Sequence, residues 1–118
     1  MKFVFITLFP ELIAGAASVS ILGRAQKEGL IEVLCVNPRD YATDRHRSVD
    51  DTTCGGGAGM VLRVDTYLAA LEKARCLAPD ALVVALTPVG ETLCQARVTA
   101  LSRAGRDLIF LCGHYEGF

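Results

Sequence analysis

DLIFLC, residues 107–112, is one of four short apolar runs that decide the fold of this chain. The others are FVFIT at 3–7, LIEVLCV at 30–36 and ALVVAL at 81–86. Three of the four lack polar alternation, which is typical of strands in a parallel sheet covered on both faces. The exception is LIEVLCV, in which Glu32 indicates an edge or a half-exposed position. The runs therefore predict a mainly parallel sheet.

Helical patterns lie between the apolar runs. DTYLAALEKARCLA has a candidate N-cap in Asp65, because a side-chain oxygen there can accept a hydrogen bond from the first turn. The residues expected on the buried face of this helix are Val64, Leu68, Leu71 and Ala74. LCQARVTALSRAG ends at Gly105, a residue suited to the position just past a helix. The order β, α, β, loop, α, β, α, β predicts an α/β fold with a sheet flanked by helices.

Composition narrows the class of protein. The chain has 118 residues, of which 52% are hydrophobic and 21% charged, so one globular domain with a real core is expected. The formal net charge of -1 gives no strong field for attracting a polyanion, so any nucleic acid must be held by a local site. No apolar stretch approaches the ~18 residues of a membrane span.

Cysteine and histidine usage favours a reducing compartment and no metal. The five cysteines are widely spaced and form no C-x-x-C motif, which indicates reduced thiols in a cytoplasmic protein. The chain has only two histidines, and no second ligand pair stands at zinc-like spacing beside Cys112 and His114. We therefore expect a soluble cytoplasmic protein without a metal site.

Two strand ends carry candidate binding residues. TPVGE (87–91) follows one predicted strand and GHYEGF (113–118) follows another. Ligands of open α/β sheets bind at the carboxyl ends of the strands, so the two segments are candidates for lining one pocket. Ordinary strand-to-helix turns favour the same residue types, and that interpretation stays open for each segment alone.

A polar segment and a glycine cluster lie between the second and third predicted strands. GGGAGM at 55–60 is neither a phosphate-binding P-loop nor a complete G-x-G-x-x-G motif. The preceding segment, 37–51, alternates arginines with aspartates, a pattern suited to specific hydrogen bonds with phosphates and base edges. A solvated polar loop is the alternative, although about 20 residues without an apolar pattern are uncommon in a small domain unless functional.

Seven linked motifs carry a resemblance to a known family. They are LFPE (8–11), GRA (23–25), PRDY (38–41), DRHRSVDD (44–51), GGGAGM (55–60), LTPVG (86–90) and LCGHYEG (111–117). In this order and spacing they resemble the bacterial tRNA (guanine-N1)-methyltransferases, the TrmD family of the SPOUT class. The resemblance implies a trefoil-knotted α/β domain that binds S-adenosylmethionine. It also implies a homodimer that methylates N1 of the guanine immediately 3′ of the tRNA anticodon.

The resemblance assigns roles to individual residues. The first cofactor loop corresponds to Leu86, Thr87, Pro88 and Gly90, and the second to Gly113, Tyr115, Glu116 and Gly117. Glu116 is expected close to the methyl-bearing end of the cofactor and is the candidate catalytic residue. The residues implied for RNA, guanine or interface contacts are Arg45, His46, Asp50, Gly57 and Gly59.

The resemblance also implies that residues 1–118 are the N-terminal portion of a SPOUT domain. Completion of the knot, the general base and the C-terminal tRNA-binding domain are expected in segments that this sequence lacks. A 118-residue product is therefore expected to bind S-adenosylmethionine weakly or not at all and not to methylate tRNA. Cys54, Ala58 and His114 depart from the residues usual in the family.

Two alternative functions stay open at this point. The first is a non-catalytic RNA-binding or dimerisation module, which would have no need of S-adenosylmethionine. The second is a different α/β nucleotide-binding enzyme that uses the glycine cluster for phosphate.

Overall fold

The structure is a computed structural model that describes residues 1–46, 48–52 and 60–113, with the backbone alone for 50–52 and 60–62. The helices are α1 (Pro10–Ala17), α2 (Ser20–Lys27), α3 (Val64–Leu77) and α4 (Gln95–Arg103), with a short 3₁₀ helix at Pro38–Tyr41. The strands are β1 (Lys2–Ile6), β2 (Glu32–Val36), β3 (Asp50–Thr52), β4 (Met60–Leu62), β5 (Leu82–Leu86) and β6 (Leu108–Cys112).

Four strands form one parallel sheet in the order β2, β1, β6, β5. Each of the four apolar runs supplies one of these strands, so the predicted mainly parallel sheet is confirmed. Glu32 is exposed on β2, which is an edge strand of the described sheet, as its sequence indicated. Strands β3 and β4 pair separately as an antiparallel ladder.

One face of the sheet packs against α3. Val4 and Ile6 of β1, together with Ile109 of β6, are fully buried on this face. Helix α3 meets them through Ala70 and Ala74, both of which are fully buried as well. Methyl side chains allow a helix to approach a sheet closely, and their alignment at helical spacing makes this face of α3 the core face.

The buried face of α3 differs from the predicted one. Val64 and Leu68 were expected to be buried but are 65% and 55% exposed, whereas Ala74 is buried as expected. The helix is rotated so that Thr66 and Tyr67 point inward with the small residues. Close packing selected the alanines for the core, although the larger aliphatic side chains are more hydrophobic.

The predicted N-cap of α3 is also wrong. The helix begins one residue before Asp65, and Arg63 occupies the N-cap position without a side-chain capping bond. The Asp65 carboxylate instead accepts hydrogen bonds from the Arg63 guanidinium, at 2.7 Å from one terminal nitrogen and 3.2 Å from Nε. At the end of α4 the prediction is confirmed: Gly105 follows the last turn with a φ of 65°.

The opposite face of the sheet is only partly covered. Phe5 and Phe110 stack there with ring centroids 5.0 Å apart, and both remain half-buried. Helices α1 and α2 lie at one side of this pair and α4 lies at the other. Residues of α1 and α2 enclose one cavity against this sheet face, and residues of α4 enclose a separate one. The run ALVVAL was expected to be covered on both faces, but β5 is an edge strand of the described sheet whose last two residues are exposed.

None of the helices in the described ranges is long and apolar enough to cross a membrane.

Candidate functional site

The two candidate cofactor loops start from neighbouring strands. In the parallel register of β5 and β6, Leu86 lies opposite Cys112. Thr87 and Gly113 therefore leave the same edge of the sheet side by side. The carboxyl ends of adjacent parallel strands are where α/β proteins bind ligands. The structure thus brings together the described residues of both predicted loops.

The first loop folds back on itself immediately after β5. The Gly90 amide donates to the Thr87 carbonyl at 3.2 Å, and the Val89 amide approaches the Thr87 hydroxyl at 3.4 Å. A Cβ atom added at Gly90 would lie 3.3 Å from the Thr87 methyl group and 3.4 Å from its carbonyl oxygen. The glycine therefore lets the turn close tightly while its backbone groups stay exposed.

A cavity of about 520 Å³ lies between this loop, α4 and the sheet. This volume falls within the roughly 300–1,000 Å³ typical of small-molecule and cofactor sites. Its wall includes Leu86, Thr87, Pro88 and Gly90, all four predicted residues of the first loop. Phe110 adds an aromatic surface from the neighbouring strand.

Two charged groups line the cavity, one from the loop after β5 and one from α4. Glu91 and Arg97 both line it and form an ion pair with each other. Both side chains are at least half exposed, so water screens the pair strongly. The wall therefore combines apolar surface, hydroxyl groups, backbone groups and a carboxylate paired with a guanidinium, the mixture of apolar surface and few polar groups typical of a small-molecule site. The described residues fit a nucleoside cofactor of the S-adenosylmethionine kind.

A second cavity, of about 390 Å³, lies between the same sheet face and helices α1 and α2. Its walls are apolar throughout, from Phe3 and Phe5 on the sheet to Ile21 and Leu22 on α2. A site of this kind has no polar group to orient a ligand, whereas the cavity under the first loop has several. Of these two cavities, only the one at the ends of β5 and β6 combines apolar walls with polar groups that could orient a ligand.

Tyr67 of α3 reaches the end of β6 from the other side of the sheet. Its hydroxyl lies 3.3 Å from the Cys112 carbonyl oxygen, and its side chain is buried. This contact was not predicted, because the buried face expected for α3 did not include Tyr67. The signal was present in the spacing of Tyr67, Ala70 and Ala74, which share one helix face. Burial raises the pKa of the adjacent Cys112 thiol above its ordinary value.

Two of the predicted RNA contacts lie on an exposed turn between the 3₁₀ helix and β3. Arg45 and His46 are both exposed there. The Ser48 amide and hydroxyl close this turn by donating to the two Asp44 carboxylate oxygens, at 2.8 and 2.6 Å. These hydrogen bonds hold the pKa of Asp44 below its ordinary value. Neither Arg45 nor His46 belongs to the wall of the 520 Å³ cavity.

Several predicted site residues fall outside the described part of the chain. They are Gly57, Gly59, Tyr115, Glu116 and Gly117. The residues that depart from the family pattern, Cys54, Ala58 and His114, also fall outside it. Asp50 opens β3 and is described by its backbone alone. Among the described residues, no group of three or more His, Cys, Asp or Glu side chains could hold a metal ion.

Comparisons with known proteins agree with this architecture. A family model described as tRNA (Guanine-1)-methyltransferase TrmD matches residues 1–118. The crystal structure of tRNA (m1G37) methyltransferase from Aquifex aeolicus is similar, with a TM-score of 0.87 and 31% sequence identity over 99% of this chain and 52% of that chain.

Curated relatives carry the corresponding name. The tRNA (guanine-N(1)-)-methyltransferase of Synechococcus sp. (strain JA-3-3Ab) is 47% identical over 118 residues, covering 100% of this chain and 46% of the relative. That of Deinococcus radiodurans is 50% identical over 121 residues, covering 100% of this chain and 42% of the relative. The chain thus spans less than half the length of these relatives.

The parallel sheet, its flanking helices and its strand-end cavity define an α/β domain of the SPOUT methyltransferase class. The match over the whole chain narrows this class further. The chain belongs to the tRNA (guanine-1)-methyltransferase TrmD family.

Proposed function

We propose that this chain is the cofactor-binding part of a tRNA methyltransferase. The enzyme transfers a methyl group from S-adenosylmethionine to N1 of the guanine immediately 3′ of the anticodon, and it works in the cytoplasm as a homodimer. The observation that supports the proposal is the pairing of Leu86 with Cys112, because Thr87 and Gly113 then leave one sheet edge together, beside a cavity of suitable size.

The cofactor is assigned to residues that the chain itself supplies. Backbone groups of Thr87 and Gly90 would hold the nucleoside, and Leu86 and Phe110 would pack against its apolar surfaces. When bound, S-adenosylmethionine supplies an activated methyl group on a sulfonium that is a good leaving group. The task of the chain is then orientation more than covalent catalysis. We extend the binding site to Gly113, Tyr115, Glu116 and Gly117 by family resemblance, with Glu116 nearest the reacting methyl group.

The acceptor nitrogen imposes a further requirement. N1 of guanine carries a proton that a general base must remove during transfer. We propose that this base and the main tRNA-binding surface belong to the part of the relatives' length that these 118 residues do not span. Arg45, His46 and Asp50 are proposed as RNA or subunit contacts, and Gly57 and Gly59 as neighbours of the guanine.

Exposed apolar side chains beside the partly covered sheet face support the proposed homodimer. Several large apolar side chains of the described ranges are exposed, among them Ile21 and Leu22 beside the apolar cavity. Contiguous exposed apolar surface is typical of an interaction site. The same face favours the alternative of a non-catalytic dimerisation module, which would not bind S-adenosylmethionine.

Titration of the intact gene product that contains these 118 residues with S-adenosylmethionine separates the two functions. Gly90→Val places a branched side chain in the cavity wall, and overpacking costs about 1–3 kcal/mol, so we expect roughly 5- to 150-fold weaker binding. The matched control is Val89→Ala in the same loop, because Val89 is 93% exposed and does not line the cavity. Wild-type protein that binds no S-adenosylmethionine, or a Gly90→Val variant that binds normally, would contradict the assignment.

The 118-residue chain expressed alone provides a second test. Because completion of the knot is assigned elsewhere, we expect the isolated chain to bind S-adenosylmethionine weakly or not at all. Because the general base is assigned elsewhere too, we expect it to transfer no methyl group to tRNA. Turnover by this fragment would show that the base lies within residues 1–118.

A further inference from the structure

We propose that Tyr67 is a positioning residue for the cofactor site, because its hydroxyl anchors the strand end from which the second cofactor loop starts. This inference rests on the proposed function and deepens it. The position lies on α3, on the opposite side of the sheet from the cavity, so Tyr67 acts through the backbone of β6 and not by touching the cofactor.

The anchor is a hydrogen bond from a buried tyrosine to the end of β6. Tyr67 is 4% exposed, and its hydroxyl donates to the Cys112 carbonyl at 3.3 Å. Cys112 is the last residue of β6 and the last to pair with β5, opposite Leu86. A carbonyl at the end of a ladder needs another donor, and a buried hydroxyl needs an acceptor. Each group therefore satisfies the other at the point where the sheet ends.

The position of this bond gives it an effect on the site. Cys112 directly precedes Gly113, the first residue of the second predicted loop, and lies opposite Leu86, which directly precedes the first. A shift of the β6 end changes the spacing between the two loops. Displacement of a binding group by a fraction of an ångström is enough to weaken a preorganised site.

The tyrosine ring and its hydroxyl contribute separately. The ring belongs to the apolar core formed by α3 and the sheet, together with Ala70 and Ala74. Tyr67→Phe keeps the ring and its packing volume and removes only the donor. If the role of Tyr67 were purely structural, the Tyr67→Phe protein would therefore lose some stability but keep its affinity for the cofactor.

The test compares Tyr67→Phe with Thr66→Val in the intact gene product that contains these 118 residues. Thr66 is the matched control, since it is 1% exposed and its hydroxyl donates to the Arg63 carbonyl at 3.0 Å within the first turn of α3. Both variants remove one buried hydroxyl from the same helix. We expect similar losses of thermal stability, but a roughly three- to tenfold increase in the Kd for S-adenosylmethionine in Tyr67→Phe alone. Equal Kd values for the two variants would overturn the proposal.

Hydrogen exchange tests the hydrogen bond from Tyr67 to Cys112 independently of cofactor binding. If the anchor exists, the backbone amides of residues 108–113 exchange faster in Tyr67→Phe than in Thr66→Val, whether or not cofactor is present. Equal exchange in the two variants overturns the anchor. If the wild-type protein binds no S-adenosylmethionine, the proposed function is refuted. Faster exchange in Tyr67→Phe would still support the anchor in that case.

Discussion

Replacing Gly23 by alanine tests why the GRA motif begins with glycine. Gly23 is buried in α2, and a Cβ atom there would lie 2.3 Å from the carbonyl oxygen of Ser18 and 2.6 Å from its carbonyl carbon. Ser18 ends α1, so the collision is with backbone at the corner between the two helices. A flexible side chain could rotate away, but this contact can be relieved only by moving one helix relative to the other.

The size of the effect follows from the distance. The corner must open by about 1 Å to bring the contact to the 3.4 Å at which ordinary van der Waals distances begin, and such overpacking costs about 1–3 kcal/mol. The higher helix propensity of alanine offsets about 0.5–1 kcal/mol of this. We therefore expect Gly23→Ala to lower the free energy of unfolding by up to about 2.5 kcal/mol, or up to roughly 10 °C in Tm.

Urea unfolding followed by circular dichroism measures this change. The control is Gly15→Ala in α1, where an added Cβ meets nothing within 4 Å. Helix propensity acts alone at Gly15, so we expect that variant to be more stable than wild type by about 0.5–1 kcal/mol. A Gly23→Ala protein as stable as Gly15→Ala would refute the argument from backbone collision.

Three further predictions concern the carboxylate of Asp107, the thiol of Cys112 and the carboxylate of Asp44. Asp107→Ala removes the acceptor that holds the Lys2 amide at 2.7 Å, so we expect the urea midpoint to fall by an amount equivalent to about 1–3 kcal/mol; an unchanged midpoint would show that water replaces the carboxylate. Burial raises the pKa of Cys112, so at pH 8 iodoacetamide should modify it more slowly than exposed Cys94, as peptide mass spectrometry can measure; equal rates would contradict this. The folded-state pKa of Asp44 is lowered from 3.8, so its stabilisation is complete above that value and is lost as the pH falls through the lower one. Tm profiles on acidification should therefore be flatter for Asp44→Asn than for wild type, and parallel profiles would argue against this contribution.

The strands were predictable because their signal is local. An unbroken apolar run such as FVFIT is compatible with few states other than a buried strand, and β1 occupies the centre of the sheet beside β6. Glu32 correctly indicated an edge strand, since a charged side chain cannot lie between two covered faces. The candidate binding segments after β5 and β6 were chosen because α/β folds bind ligands at the carboxyl ends of their strands.

The face of α3 was not predictable from hydrophobicity alone. Leu68 is more apolar than Ala70, yet Leu68 is exposed and Ala70 is fully buried. The distance between helix and sheet decides which of these side chains fits, and a periodicity argument contains no such distance. The contact from Tyr67 to Cys112 depends on that helix rotation, so it could not be anticipated once the face was misassigned.

Local sequence also left the meaning of short motifs open. The sequence shows Gly23 only as part of the GRA motif, whereas the need for glycine arises from Ser18, five residues earlier at the C-cap of another helix. The N-cap prediction at Asp65 failed for a similar reason. The Asp65 carboxylate accepts a hydrogen bond from the guanidinium of its neighbour Arg63, and Arg63 itself occupies the N-cap position.

The most direct test of the proposed function is methyl transfer by the intact gene product that contains these 118 residues. Labelled S-adenosylmethionine would be supplied with two tRNA transcripts that differ only in the nucleotide immediately 3′ of the anticodon, guanine in one and adenine in the other. The proposal predicts label in the guanine transcript, at N1, and none in the adenine transcript. Equal labelling of both transcripts, or of neither, would contradict it.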